Sequence, residues 1–153
     1  MTLFETNRGG KVTYHGLGQV VGYPVINLSP DREDVHRYVR ELEEVLIRTM
    51  SDFGIGAFRL EGLTGVHTQR GKVAAIGVHI ARWVTTHGFA LNVNTDLSYF
   101  DLIIACEGEP VTSMEELLGS ETPLDLVEDR IVTNFHAVFS YQYLSASISG
   151  QYA

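Results

Sequence analysis

The most reactive side chain in the 153 residues is Cys106, the one cysteine of the chain. A single thiol excludes an internal disulfide and any multi-cysteine zinc site, so Cys106 serves either packing or nucleophilic chemistry. The six histidines (His15, His36, His67, His79, His87 and His136) show no ligand spacing such as His-Glu-x-x-His, which argues against a metal site. A cysteine–histidine hydrolase with His15 or His87 as base stays open at this stage, because catalytic partners are neighbours in space rather than in sequence. Gly16-Leu17-Gly18 runs on as Gln19-Val20-Val21 and completes neither the dinucleotide fingerprint nor the P-loop, so nucleotide binding has no motif behind it.

Two segments combine small residues with polar groups. In Arg8-Gly9-Gly10-Lys11-Val12-Thr13-Tyr14-His15-Gly16 the glycines let backbone approach a ligand that Arg8, Tyr14 and His15 would line; the same string also reads as a turn around a half-buried histidine. In Gly71-Lys72-Val73-Ala74-Ala75-Ile76-Gly77 a lysine enters a strand of small residues, which leaves room for something to lie against it. Taken alone, Lys72 is a charged strand end.

The elements that must position these groups follow from periodicity and punctuation. Residues 11–28 are rich in Val, Ile and Tyr and broken by Gly16, Gly18 and Gly22, which predicts two short strands. Ser29-Pro30-Asp31 predicts a helix start. Apolar residues from Val35 to Phe53 at helical spacing, closed by Gly54, predict a long amphipathic helix. Short apolar runs between glycine turns at Ala57–Leu60, Gly65–Thr68, Lys72–Trp83 and Phe89–Val93 predict an antiparallel meander, and Leu102–Ala105 a strand that delivers Cys106 at its end. A doubled capping box, Thr112-Ser113-Met114-Glu115-Glu116, opens a short helix ending at Gly119, and Thr122-Pro123 opens a last one. The expectation is one α+β domain over residues 1–153, with a mostly antiparallel or mixed sheet flanked by helices.

Composition fits a packed domain: 44% hydrophobic, 20% charged, net charge −8. The acids concentrate beyond residue 95, where Arg130 is the one basic group. That distribution argues against a nucleic-acid footprint. The longest apolar runs fall far short of the ~20 residues of a membrane helix, and the N-terminus has no secretory signal pattern; the expectation is a cytoplasmic protein with no membrane or nucleic-acid partner.

The string from Arg8 to Gly16, continued by Gly18-Gln19-Val20-Val21-Gly22-Tyr23-Pro24, resembles the Arg-Gly-Gly-x-Val-Thr-Tyr-His-Gly-Pro-Gly-Gln-x-Val-Gly-Tyr-Pro motif of the octanoyltransferases, also called lipoyl(octanoyl) transferases or lipoate-protein ligase B. Lys72–Val78, the run His87-Gly88-Phe89-Ala90-Leu91-Asn92, and Cys106 with Val111-Thr112-Ser113 are similar to the same family in order and spacing. The resemblance implies that Cys106 accepts an octanoyl group from octanoyl-acyl carrier protein as a thioester, with Lys72 as its catalytic partner. It implies an acyl site lined by Arg8, Gly9, Gly10, Lys11, Val12, Thr13, Tyr14 and His15, by Ala75, Ile76 and Gly77, and by Gly88, Phe89 and Ala90. Acceptors would be lysines of the lipoyl domains of 2-oxoacid dehydrogenases and of the glycine cleavage H protein. No cofactor or metal is implied, and the fold would be that shared with lipoate and biotin protein ligases. A thiol with pKa near ~8.5 is mostly protonated at neutral pH, and a nearby ammonium favours the attacking thiolate.

The chain departs from the pattern at three places. Leu17 stands where the family has proline, Glu107-Gly108 follows Cys106 where glycine and an apolar residue are usual, and the motif begins at residue 8, which predicts an N-terminally shortened domain. The alternatives are a non-catalytic remnant that binds an acyl chain or carrier, an ATP-dependent lipoate ligase, and the Cys-His hydrolase.

Overall fold

A computed structural model of the chain describes residues 2–9, 13–104 and 109–140. Gly10, Lys11, Val12, Cys106 and Glu107 lie outside the described residues. The chain runs β1 (Gln19–Gly22), α1 (Val35–Asp52), β2 (Val66–Thr68), β3 (Gly71–Ala81), β4 (Val84–Asn92), a 3-10 turn (Leu97–Phe100), α2 (Asp101–Ile104), α3 (Met114–Leu118) and α4 (Leu124–Phe139). The strands form an antiparallel sheet in the order β1-β4-β3-β2.

The long helix of the sequence analysis is α1, and it ends as expected, with Gly54 in the left-handed region at φ 77. Its start is five residues later than Ser29-Pro30-Asp31 predicts. The cap is Asp34, whose carboxylate accepts from the Arg37 amide at 3.0 Å. Tyr38, Leu42, Val45, Leu46 and Met50 are buried against Val127, Ile131 and Phe139 of α4 and against the sheet. Apolar burial of this kind supplies ~25 cal/mol per Å², so this face carries much of the stability. Polar ties fix the angle of the two helices: Asp52 accepts from Arg130 Nε at 2.9 Å and Asn134 Nδ2 at 2.9 Å, and Arg32 Nη2 donates to the Phe139 carbonyl at 2.8 Å.

Four expected strands differ. The single run Lys72–Trp83 is interrupted by a two-residue hairpin turn at Arg82 (φ 53) and Trp83 (φ 65), after which β4 begins at Val84. Turns with both central residues at positive φ usually announce themselves by Asn-Gly, which is absent here. Leu102–Ala105 is not a strand over its described part. Asp96 accepts from the amide and hydroxyl of Ser98 and starts a helical turn that continues as α2. Ala57–Leu60 contributes only the Phe58–His67 bridge, and residues 13–16 form no strand ahead of β1. Among the described residues no helix is long and apolar enough to cross a membrane.

Candidate active site

β3 supplies the floor of the site, and its register decides which side chains face it. Val66 pairs Ala74 while His67 pairs Lys72, so β3 carries one extra residue there, a β-bulge. Val73 and Ala74 consequently both belong to the helix-side core. Simple alternation would put Lys72 on the side of Ala74; the bulge turns it to the side of Ala75 and Gly77.

The two predicted triplets meet directly. Ala75 pairs Ala90, Ile76 pairs Phe89 and Gly77 pairs Gly88. Ile76 and Phe89 point into the helix-side core, where they are buried, so the alternate positions Ala75, Gly77, Gly88 and Ala90 form a small-residue patch on the opposite face. Glycine is required at two of them by close approach. A Cβ on Gly88 would lie 2.1 Å from the Gly22 carbonyl oxygen, and one on Gly77 would lie 2.5 Å from the Gly9 carbonyl oxygen and 2.9 Å from Arg8 Nη1. Arg8 and Gly9 thus cross β3 at Gly77, where the Gly9 amide donates to the Val78 carbonyl at 2.9 Å.

That contact makes a prediction. Gly77→Ala forces the Arg8–Gly9 segment away from β3, since overpacking a tight contact costs about 1–3 kcal/mol. Tryptic cleavage after Arg8 is expected to accelerate by roughly tenfold or more, with the urea midpoint of the core little changed. Unaltered cleavage in a folded variant would show that the contact does not hold the segment.

The described residues of the segment beyond Gly9 are tied in by side chains that the sequence analysis did not single out. Gln19 Nε2 donates to the Tyr14 carbonyl at 3.0 Å and to Asn92 Oδ1 at 2.9 Å, while Gln19 Oε1 lies 2.9 Å from His15 Nδ1. Asn92 Nδ2 in turn donates to the Thr112 carbonyl at 3.1 Å. Tyr14 stacks on Tyr99 with ring centroids 5.1 Å apart and meets the edge of Phe100 at 5.5 Å. Thr13 is half-buried beside them. His87 Nε2 is 2.8 Å from Asn7 Oδ1, at the far end of the patch.

Lys72 lies at the edge of this face and is held from several directions. Its amide donates to the Pro110 carbonyl and its carbonyl accepts from the Thr112 amide, each at 2.9 Å, so the segment that follows the cysteine is fastened to β3. Its ammonium lies 3.6 Å from Glu109 Oε2. Glu109 Oε1 is 2.5 Å from Nε2 of His67, which is 3% exposed. Nδ1 of His67 has no partner among the described residues. A hydrogen there would be buried without an acceptor, which assigns the hydrogen to Nε2, donating to the carboxylate. Partial burial works against the charged form of Glu109, but the His67 hydrogen bond and the Lys72 charge outweigh it and hold the carboxyl below its usual range. Neither His67 nor Glu109 was distinguishable in sequence, one being among six scattered histidines and the other a turn residue.

The arrangement offers an ammonium at the edge of a patch of small residues that Arg8–Gly9 crosses at Gly77 and Gly22 approaches at Gly88. Comparison with known proteins was made against this geometry. The family described as lipoyl protein ligase A/B catalytic domain matches residues 1–136. An octanoyltransferase of Solibacter usitatus is 52% identical over 145 residues, covering 94% of this chain and 66% of its own length. The chain therefore spans just under two thirds of that curated relative. Among solved structures, a bipartite lipoate protein ligase with its E2 lipoyl domain from Thermoplasma acidophilum matches with TM-score 0.67 at 19% identity, over 92% of this chain and 58% of the other. A biotin protein ligase from Aquifex aeolicus in complex with biotin and ATP matches with TM-score 0.66 at 15% identity, over 80% and 50%. The fold is that of the lipoate and biotin protein ligases.

Proposed function

The chain belongs to the lipoyl protein ligase A/B catalytic domain family, and from that premise we propose that it is a single catalytic domain that transfers an octanoyl group from octanoyl-acyl carrier protein to a lysine of an acceptor protein, through a thioester on Cys106. The Cys106 thiolate attacks the donor thioester, the carbon–sulfur bond to the carrier breaks, and the carrier thiol leaves with the proton that the Lys72 ammonium gives it. The acceptor amine then attacks the new thioester, an amide forms, the cysteine is released, and Lys72 takes the proton that the amine loses. Exchange of one thioester for another is close to isoenergetic and amide formation is downhill, so no nucleotide is consumed. Acceptors are the lipoyl domains of 2-oxoacid dehydrogenases and the glycine cleavage H protein.

The observation that carries this reading is the Lys72 ammonium, turned onto the small-residue face and fastened by the segment just downstream of the lone cysteine. Two residues separate Cys106 from Glu109 in the sequence, a tether of three peptide steps and about 11 Å at most. The octanoyl chain would lie beside Ala75 and Ala90, between Lys72 and the segment that carries Arg8, Gly9, Thr13, Tyr14 and His15. The test is intact mass of the purified chain after incubation with octanoyl-loaded carrier protein, before and after hydroxylamine. One octanoyl increment that hydroxylamine removes is the expected result. A folded sample that gains no increment would overturn the reading in favour of a binding protein without turnover.

A further inference from the structure

Lys72 is held far more closely than a charged strand end requires. Its backbone is clamped on both sides by residues 110–112. Its stem passes over Gly65, where a Cβ would lie 2.7 Å from Lys72 Cε. The head meets a carboxylate that is itself fixed by an almost fully buried imidazole. That imidazole makes no other side-chain hydrogen bond among the described residues, since its second nitrogen is orphaned.

We propose that Glu109 is the positioning residue for Lys72 and that His67 fixes Glu109 in turn, so that a His67–Glu109–Lys72 chain sets the place of the lysine head and the charge that faces it. The proposal rests on the octanoyl-transfer reading for its purpose, since a lysine serving two half-reactions must give up a proton in the first and accept one in the second. A carboxylate at 3.6 Å puts a negative charge against the lysine head and keeps it at one position. Among the described residues, the other charged groups near Lys72 are already committed. Glu43 of α1 reaches Gly65 through the Gly65 amide but is paired with Arg40 and Arg59, and Arg70 at the start of the strand is paired with Glu116. Glu109 is therefore the carboxylate to which the lysine responds.

The experiment is trace acetylation of the full chain with acetic anhydride across pH 7 to 11, with the Lys72 peptide quantified by mass spectrometry. Only the neutral amine reacts. In Glu109→Gln, Lys72 is expected to label roughly five- to tenfold faster than in the parent protein on the rising limb, the difference closing near the top of the range where both amines are neutral. A merely structural loosening would raise labelling by the same factor at every pH, and that result, or no change at all, overturns the proposal. His67→Phe removes the donor that fixes the carboxylate and is expected to shift the profile in the same direction by a smaller factor. Should Glu109→Gln not fold, an unshifted profile in folded His67→Phe overturns the proposal by itself. Labelling needs no octanoyl donor, so it stands apart from the mass test: an acyl-enzyme with an unshifted lysine sinks the triad alone, and a shifted lysine without an acyl-enzyme sinks the transfer reading alone.

Discussion

Cys106→Ser is expected to abolish the hydroxylamine-labile adduct and to lower octanoyl transfer by roughly a thousandfold or more. A serine hydroxyl ionises far above the range in which a lysine ammonium can assist it, whereas a thiol near ~8.5 needs only a modest shift to become a thiolate at neutral pH. The exchange also replaces a thioester, which an amine opens readily, by an ester, which it opens slowly. Both half-reactions therefore suffer. The measurement is intact mass alongside steady-state transfer to an acceptor domain, with folding checked by circular dichroism. A variant that still carries a labelled thioester would remove Cys106 from the nucleophile's role. Because the cysteine is the one thiol in the sequence, no second sulfur can substitute for it.

Glu43→Ala is expected to destabilise the fold by about 3 kcal/mol, the largest effect on stability that a single polar side chain here should have. Its carboxylate is fully buried in the middle of α1, and it accepts from Arg40 Nη1 at 3.1 Å, Arg59 Nε at 3.0 Å and the Gly65 amide at 3.1 Å. Truncation leaves the buried Gly65 amide without this acceptor and opens a gap in the helix–sheet interface. The two guanidiniums are partly exposed and recover water, which keeps the loss below that of stranding a buried charge. Urea unfolding of the two proteins measures it. A difference under about 1 kcal/mol would mean that the cluster is near neutral, as exposed pairs are. Because Gly65 lies under the Lys72 stem, the same substitution is expected to disturb the site as well.

Much of the site was legible as strings of residues. Each triplet that the resemblance pointed to has a physical reason to be what it is: Gly77 and Gly88 are glycines because backbone crosses them within 2.5 Å and 2.1 Å of where a Cβ would stand. His67 and Glu109 were not legible, because they lie 42 residues apart and meet only once β2, β3 and the segment after the cysteine are assembled. Gln19 and Asn92 stood inside the quoted runs but carried no sign that they would bond each other across the sheet. Glu43 read as a solvent-side acid of an amphipathic helix, since periodicity sees type and position but not the arginine that arrives from residue 59.

Local signals determined what local physics controls. The α1 face and its glycine stop, the Ser113 cap of α3 with Gly119 behind it, and the alternation of small residues in β3 all depend on contacts within a few residues, and they were readable without coordinates. The positive-φ turn at Arg82 and Trp83 and the helical turn at residues 101–104 were not, because there the geometry is imposed by strand pairing or by a competing cap. The orientation of Lys72 was decided at the same level. Its motif is plain in the sequence, but the face it occupies depends on the one-residue bulge against β2, and a strand's period of two means that a single extra residue reverses every side chain beyond it.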